Sequence, residues 1–221
     1  MPVDRQQWAK QLNLSNFVNA YYQYRDLTAL QGCRRVLIVG PGQGLDTAVL
    51  RWRGYEITTF DIDSTFGPDE VGSVHDLSRF GDQKFDVVIA SHVLEHLPES
   101  YLDAALYEIA RVAGYAIIYL PVHGLHVQLR FLPGLHNLDF GAVIDIFNYF
   151  RAPDGEHPRY MEGQHYWEVG MRRFRVRDIV KRLSKQFDVL SVYRNKDWVP
   201  SQNFVVRSRF ATSHGLSRSV P

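Results

Sequence analysis

The stretch Val36-Leu-Ile-Val-Gly-Pro-Gly-Gln-Gly44 constrains this chain more than any other. Four apolar residues run into a turn built on three glycines, and a helix-competent segment, Leu45 to Arg53, follows at once. A short apolar run ending in a glycine turn reads as a buried strand. Such a strand delivers the backbone to Gly40, Gly42 and Gly44, where the missing Cβ atoms allow a tight bend and let a ligand approach the main chain. The helix that follows aims free N–H groups and its positive dipole end at the same place. The segment is therefore a cradle for a cofactor.

The rest of the chain alternates strand-like and helix-like segments. Residues 4 to 30 read as one or two amphipathic helices carrying Trp8, Leu12, Phe17, Tyr21, Tyr22 and Leu27. Strand 36–39 and helix 44–53 are followed by strand 56–61, a loop with Gly67-Pro68 and a brief strand at 70–74. Strand 85–90 comes next, then helix 99–112, which Pro98 can open because proline suits a first helical turn. Strand 115–120 ends at Pro121. Residues 121–172, rich in Gly, Pro, His and aromatics, form an insertion over the site, with a helix expected at 141–150; long insertions in compact domains usually carry function. Helix 175–186 and strands 188–194 and 203–209 close a single domain over residues 1–210, and 211–221 form a tail. Alternation of this kind implies a parallel, doubly wound sheet with right-handed crossovers. Its ligand then sits outside the carboxyl ends of the strands, beside the first one.

At 221 residues the chain can bury one good core. A net charge of +1 gives no overall field toward nucleic acid or membrane. The one cysteine, Cys33, has no internal disulfide partner, which fits a reducing compartment. The N-terminus shows no signal-peptide pattern, and the apolar run Tyr115 to Val122 is too short to span a bilayer. A cytoplasmic protein with a small-molecule substrate is expected, as a monomer or a homodimer.

Three cues narrow the cofactor. The dinucleotide fingerprint requires Gly-x-Gly-x-x-Gly, but here Leu45 fills the sixth position, which argues against a pyrophosphate cradle. Asp61, at the end of the second strand, can accept both hydroxyls of an adenosine ribose. The third cue is Phe85-Asp-Val-Val-Ile-Ala-Ser-His-Val-Leu-Glu-His-Leu-Pro98. Together with the glycine turn and the strand ending Leu120-Pro121, it resembles the class I S-adenosylmethionine-dependent methyltransferases over residues 34–121. The resemblance implies an α/β, Rossmann-like three-layer sandwich whose seven-stranded, mostly parallel sheet has its last strand antiparallel. It also implies S-adenosylmethionine as cofactor. Gly40, Pro41, Gly42 and Gly44 would then approach the methionine part, with Asp61 on the ribose and Ile62 on the adenine. Ser73 and Val74, or Asp76, would face the adenine edge, and Ser91 and His92 the methyl-transfer centre. One departure is clear: the family usually carries an acidic residue two places before the first glycine, where this chain has Ile38. That acid commonly helps fix the methionine amino group, and Asp46, Tyr22 or Arg25 are candidate substitutes.

His92-Val-Leu-Glu95-His96 formally matches an inverted zinc-peptidase string, but the methyltransferase-like strand before it removes the peptidase helix that reading needs. Two readings stay open. If a helical turn starts at residue 92, His92, Glu95 and His96 share one face. Two metal-dependent branches of the family, the small-RNA ribose methyltransferases and the ubiquinone-pathway O-methyltransferases, carry a similar Glu-x-x-Glu-His cluster. His165-Tyr-Trp-Glu168 resembles the element that completes the RNA-branch site. Ligands His92, Glu95, His96 and His165 would suit Zn, Fe, Ni or Mn better than Mg. In the other reading Glu95 and His96 bind no metal and orient the loop.

An oxygen nucleophile usually needs a base, and His92, His96, His123, His126, His136, His157 and His165 are candidates, with His92, His96 and His165 the catalytic set. The arginines 172, 173, 175 and 177 read as a solvent-facing helix surface rather than a nucleic-acid contact. The expectation is O-methylation of a small hydroxylated metabolite. Its alternatives are metal-dependent RNA ribose methylation and a non-catalytic methyltransferase-like partner protein.

Overall fold

The structure is a computed structural model that describes residues 12–124, 126–131, 140–145 and 165–210. The chain opens on helix α1 (Leu14–Ala29), whose N-cap Asn13 exchanges side-chain to backbone hydrogen bonds with Asn16 in a capping box. Strand β1 (Arg35–Val39) leads through the glycine turn into α2 (Leu45–Trp52), then β2 (Glu56–Asp61) and the two-residue β3 (Glu70–Val71). Strand β4 (Phe85–Ser91), helix α3 (Glu99–Val112) and strand β5 (Ala113–Pro121) complete the parallel half. A hairpin of β6 (His126–Phe131) and β7 (Phe140–Asp145) follows. Helix α4 (Val176–Leu183) and strands β8 (Phe187–Arg194) and β9 (Ser201–Ser208) end the described fold.

Seven strands form one sheet in the order β3-β2-β1-β4-β5-β9-β8, and β9 runs antiparallel to both neighbours. The apolar alternation divides the sheet into two faces, as a period of two requires. Val36 and Ile38 of β1, Val87 and Ile89 of β4 and Ile117 and Tyr119 of β5 pack with Tyr22, Leu27 and Leu50 on the α1 and α2 side. Leu37 and Val39, Val88 and Ala90, and Ala116 and Ile118 pack with α3 and α4 on the other. The result is the Rossmann-like three-layer sandwich expected from the motif order.

Helix α1 is tied down by polar groups rather than by apolar burial alone. Asp26 accepts hydrogen bonds from Tyr119 (2.7 Å) and Tyr193 (2.5 Å) and pairs with Arg25 (2.7 Å). Tyr22 donates to Asp197 at 2.7 Å. Among the described residues no helix is long and apolar enough to cross a membrane.

Two expectations are corrected. Residues 140–145 are not the start of a helix at 141–150 but strand β7, paired residue by residue with β6 from Phe140↔Phe131 to Asp145↔His126. The distant partner decides it: Gly141 weakens a helix and Val143 and Ile144 favour a strand once one is offered. Residues 146–150 lie outside the described residues, as do residues 4–11 of the helices expected at 4–30 and the tail expected at 211–221. The strand expected at 70–74 stops at Val71, because Asp76 N–H bonds back to the Ser73 carbonyl and turns the chain.

Candidate active site

The glycine turn leaves β1 at the carboxyl edge of the sheet. Gly40, Gly42 and Gly44 take φ of +69°, +49° and +74°, a region in which side-chain-bearing residues are strained. Gly44 N–H donates to the Pro41 carbonyl, closing the bend. At Gly40 the bend is also filled from behind, since a Cβ there would lie 2.5 Å from Val93 Cγ2. At Gly44 a Cβ would meet nothing within 4 Å among the described residues, so that side of the turn is open to them. Gly44 heads α2 without a side-chain cap of its own, and in the first turn Asp46 Oδ1 accepts the Thr47 N–H at 2.7 Å. A cleft of about 240 Å³ opens beside it, lined in part by Gly42, Gln43, Gly44, Thr59 and Phe66.

The neighbouring strand tip carries Asp61. Its Oδ1 accepts the Asp63 N–H at 2.9 Å, and its backbone carbonyl accepts Gly72 N–H. Ile62 beside it is 71% exposed, an apolar side chain held out over the strand edge. On the other flank, β4 ends at Ser91, level with Tyr119 of β5. His92 follows at φ +56°, its N–H bound to the Tyr119 carbonyl. A non-glycine residue in that conformation costs roughly 1–3 kcal/mol and is typical of a site where geometry is imposed.

Immediately after it, Leu94–His96 forms a single 3₁₀ turn rather than an α-helical one. Glu95 is fully buried there, and among the described residues neither carboxylate oxygen has a hydrogen-bond partner. His92 Nδ1 and His165 Nε2 each stand 3.8 Å from Glu95 Oε1. The His165 ring packs edge-on against His96 at 4.9 Å.

His165 arrives from 70 positions beyond Glu95 because the segment 165–171 is bound to the 3₁₀ turn after β4 and to the end of β5. Tyr166 N–H donates to the Glu95 carbonyl and Val169 N–H to the Pro121 carbonyl. Trp167 is buried, stacks on Phe174 at 4.7 Å and donates Nε1–H to the Leu97 carbonyl. Glu168 bonds His165 Nδ1 at 2.6 Å and His123 Nδ1 at 3.1 Å.

The protonation pattern follows from this packing. Burial pushes the Glu95 carboxyl up, to about 8. Burial, then the neighbouring His165 and His96 imidazoles, push His92 down to about 4. For His165 burial opposes charge, but the Glu168 hydrogen bond and the charges of Glu95 and Glu168 outweigh it, so its pKa rises. For Glu168 burial is in turn outweighed by the hydrogen bonds and charge of His165 and His123, so its pKa falls.

A family profile described as "Methyltransferase domain" matches residues 37–115. Over that stretch the chain is similar to that domain family. Solved structures with the same fold span nearly the whole chain. N-methyltransferase NodS from Bradyrhizobium japonicum WM9, in complex with S-adenosyl-L-homocysteine, aligns with a TM-score of 0.59 at 9% identity, covering 93% of this chain and 96% of its own. The methyltransferase domain of bacterial CtHen1 gives 0.57 at 16%, with 87% and 98% covered. A 1,6-didemethyltoxoflavin N1-methyltransferase from Burkholderia thailandensis gives 0.51 at 17%, with 88% and 86% covered. Comparison with curated proteins returned no match.

Within this fold, Gly40, Pro41, Gly42, Gly44, Asp61, Ile62 and Ser91 all lie along the carboxyl edge of the sheet. Val74 is placed differently: its side chain is 4% exposed and belongs to the core beside Phe60 and Leu77, so only its backbone is available to a ligand. Asp76 accepts the Ser78 N–H and serves as a turn cap. Ser73 Oγ bonds His75 Nδ1 at 2.7 Å. Of the four suggested metal ligands, Glu95, His96 and His165 present atoms within 4.8 Å of one another. His92 does not join that group, because its left-handed backbone replaces the helical turn that would have aligned it. Its Nε2 faces Ser201 Oγ at 3.4 Å instead. His123 is drawn in through Glu168, while His126 bonds the Val122 carbonyl. His136 and His157 lie outside the described residues. Arg173 and Arg182 both pair with Glu99, which accounts for part of the basic run. The sequence reading missed Ser201, whose position beside His92 depends on the antiparallel return of β9 and has no local signal.

Proposed function

We propose that this domain is an S-adenosylmethionine-dependent O-methyltransferase acting on a small hydroxylated molecule. The observation that carries the proposal is the Glu95–His165–Glu168 arrangement, held at the carboxyl edge of β4 next to Ser91. Gly40, Pro41, Gly42 and Gly44 would hold the methionine part of the cofactor, Asp61 its ribose and Ile62 its adenine. The side-chain-free bend and the open face at Gly44 support that fit. When bound, the cofactor supplies an electrophilic methyl group on a sulfonium.

The protein's task is then to position a nucleophile and relieve it of its proton. Glu168 holds one nitrogen of His165, which fixes the ring and turns the other nitrogen toward Glu95. This is the carboxylate–imidazole logic by which a histidine is oriented as a base. His165 Nε2 would take the proton of an acceptor hydroxyl placed between it and the cofactor's methyl group. Glu95, carrying its proton near neutral pH, can donate a hydrogen bond to the same oxygen. Calorimetry with S-adenosylhomocysteine tests the cofactor: the expected result is binding, and none at millimolar ligand refutes it. A panel of hydroxylated acceptors tests the reaction, with His165→Ala expected to lower the rate and leave cofactor binding intact.

A second reading is favoured by the unpartnered Glu95 oxygens. Glu95, His96 and His165 offer one carboxylate and two imidazoles, a donor set suited to Zn, Fe, Ni or Mn. Glu168 would orient His165 from behind, as outer carboxylates do at metal sites. A bound cation would supply Lewis acidity and lower the pKa of an acceptor hydroxyl, including an RNA ribose hydroxyl. Metal analysis of purified protein, compared with His96→Ala, separates this reading from metal-free chemistry.

A further inference from the structure

The first signal of how the cofactor is gripped is a substitution. Ile38 stands where related domains usually carry an acid, and it is 1% exposed, packed with Tyr22 against the α1 side of the sheet. A charge has no place there. Of the candidate substitutes, Tyr22 is committed to Asp197 and Arg25 to Asp26. Asp46 accepts the Thr47 N–H at 2.7 Å and a hydrogen bond from the Gln23 side chain.

Helix α1 supplies what is missing. Asn16, Asn19 and Gln23 are spaced i, i+3 and i+7 and so share one face. Both ends of that face are anchored over the glycine turn: Asn16 Nδ2 donates to Gln43 Oε1 at 3.3 Å, and Gln23 bonds Asp46 in the first turn of α2. Between these anchors, Asn19 Oδ1 and Gln23 Oε1 are buried with no hydrogen-bond partner among the described residues. Gln23 as a whole is 2% exposed. Buried acceptors are almost always satisfied, so two orphans on one face call for a donor. An ammonium group has three N–H donors and no acceptor.

We propose that Asn19 Oδ1 and Gln23 Oε1, backed by the Asp46 carboxylate, form the subsite for the amino group of the cofactor's methionine part. They take the place of the acid absent at Ile38. The assignment rests on the S-adenosylmethionine reading above and names residues that reading did not use. The amide oxygens contribute directed lone pairs, and Asp46, whose carboxyl burial pushes upward, stands behind them as the hydrogen-bond partner of Gln23.

Calorimetry on the full chain with two ligands tests it. One is S-adenosylhomocysteine; the other is 5′-deoxy-5′-methylthioadenosine, which keeps the adenosyl thioether and lacks the amino-acid part. Asn19→Leu and Gln23→Leu are each expected to weaken S-adenosylhomocysteine about 10-fold, the scale of one hydrogen bond to a charged group. Binding of the methylthio compound should not change. Asn19→Asp restores an acceptor and should bind S-adenosylhomocysteine at least as tightly as the unaltered protein. Equal weakening of both ligands, or no weakening of either, overturns the assignment. Failure of the unaltered protein to bind S-adenosylhomocysteine overturns the cofactor reading with it, so the two failures are distinguishable.

Discussion

Replacing Glu95 by glutamine keeps the shape of the buried side chain and removes its ability to ionise. Burial raises the Glu95 pKa from 4.5 to about 8. At about 1.4 kcal/mol for each pKa unit, the ionised carboxylate withholds on the order of 4–5 kcal/mol of folding free energy above pH 8. The folded state binds more protons than the unfolded one between those two values, so stability falls as pH rises through that window. His92 acts in the opposite direction. Its pKa drops from 6.5 to about 4, so the folded state binds fewer protons there and stability rises as pH climbs to 6.5. The two effects offset each other below pH 6.5, and the net loss emerges between 6.5 and 8, reinforced by the raised His165. The glutamine variant keeps the His92 rise and lacks the Glu95 fall. Urea midpoints measured on chelator-treated protein from pH 5 to 9 read the difference directly. The gap between variant and unaltered protein should widen steadily in the variant's favour up to pH 8. Parallel curves across the whole range would show that Glu95 does not carry the buried proton assigned to it.

Two other perturbations probe the frame around the site. Gly40→Ala places a Cβ 2.5 Å from Val93 Cγ2 at φ +69°, and should cost about 2–4 kcal/mol in urea denaturation from strain and clash together. Adding Val93→Ala should recover the clash and leave about 1–2 kcal/mol of backbone strain; a harmless Gly40→Ala would mean the bend is not built as described. Trp167→Ala removes the Phe174 stack and the bond to the Leu97 carbonyl, an expected loss of about 3–5 kcal/mol by thermal or urea unfolding. A loss under 1 kcal/mol would show that Trp167 is not what holds His165 in place.

Much of the frame was legible because its signals are local. The run Val36 to Val39, its glycines and the helix after them depend on near neighbours, and each glycine takes the left-handed backbone that its lack of Cβ permits. Asp61 and Ile62 were readable for the same reason, since a strand tip follows from where the apolar alternation ends. The errors fall where a distant partner overrides local preference. Residues 140–145 are a strand because β6 lies beside them. Val74 is sequestered because Phe60 and Leu77 close over it.

The sequence by itself determined a doubly wound α/β chain, the glycine bend at the edge of its sheet and the supply of histidines and carboxylates near it. Spacing of two along strands and a glycine bend suffice for that. Only the tertiary structure decided which of those groups meet. His165 reaches Glu95 because Trp167 and the bonds to the Glu95 and Pro121 carbonyls lay its segment across two strand ends. His92 drops out of the cluster because its backbone turns left-handed. Asn19 and Gln23 face the glycine turn because Asp26 and its tyrosines pin α1 above it. Contacts between residues far apart in the chain depend on how whole elements pack, and no short window of sequence encodes that.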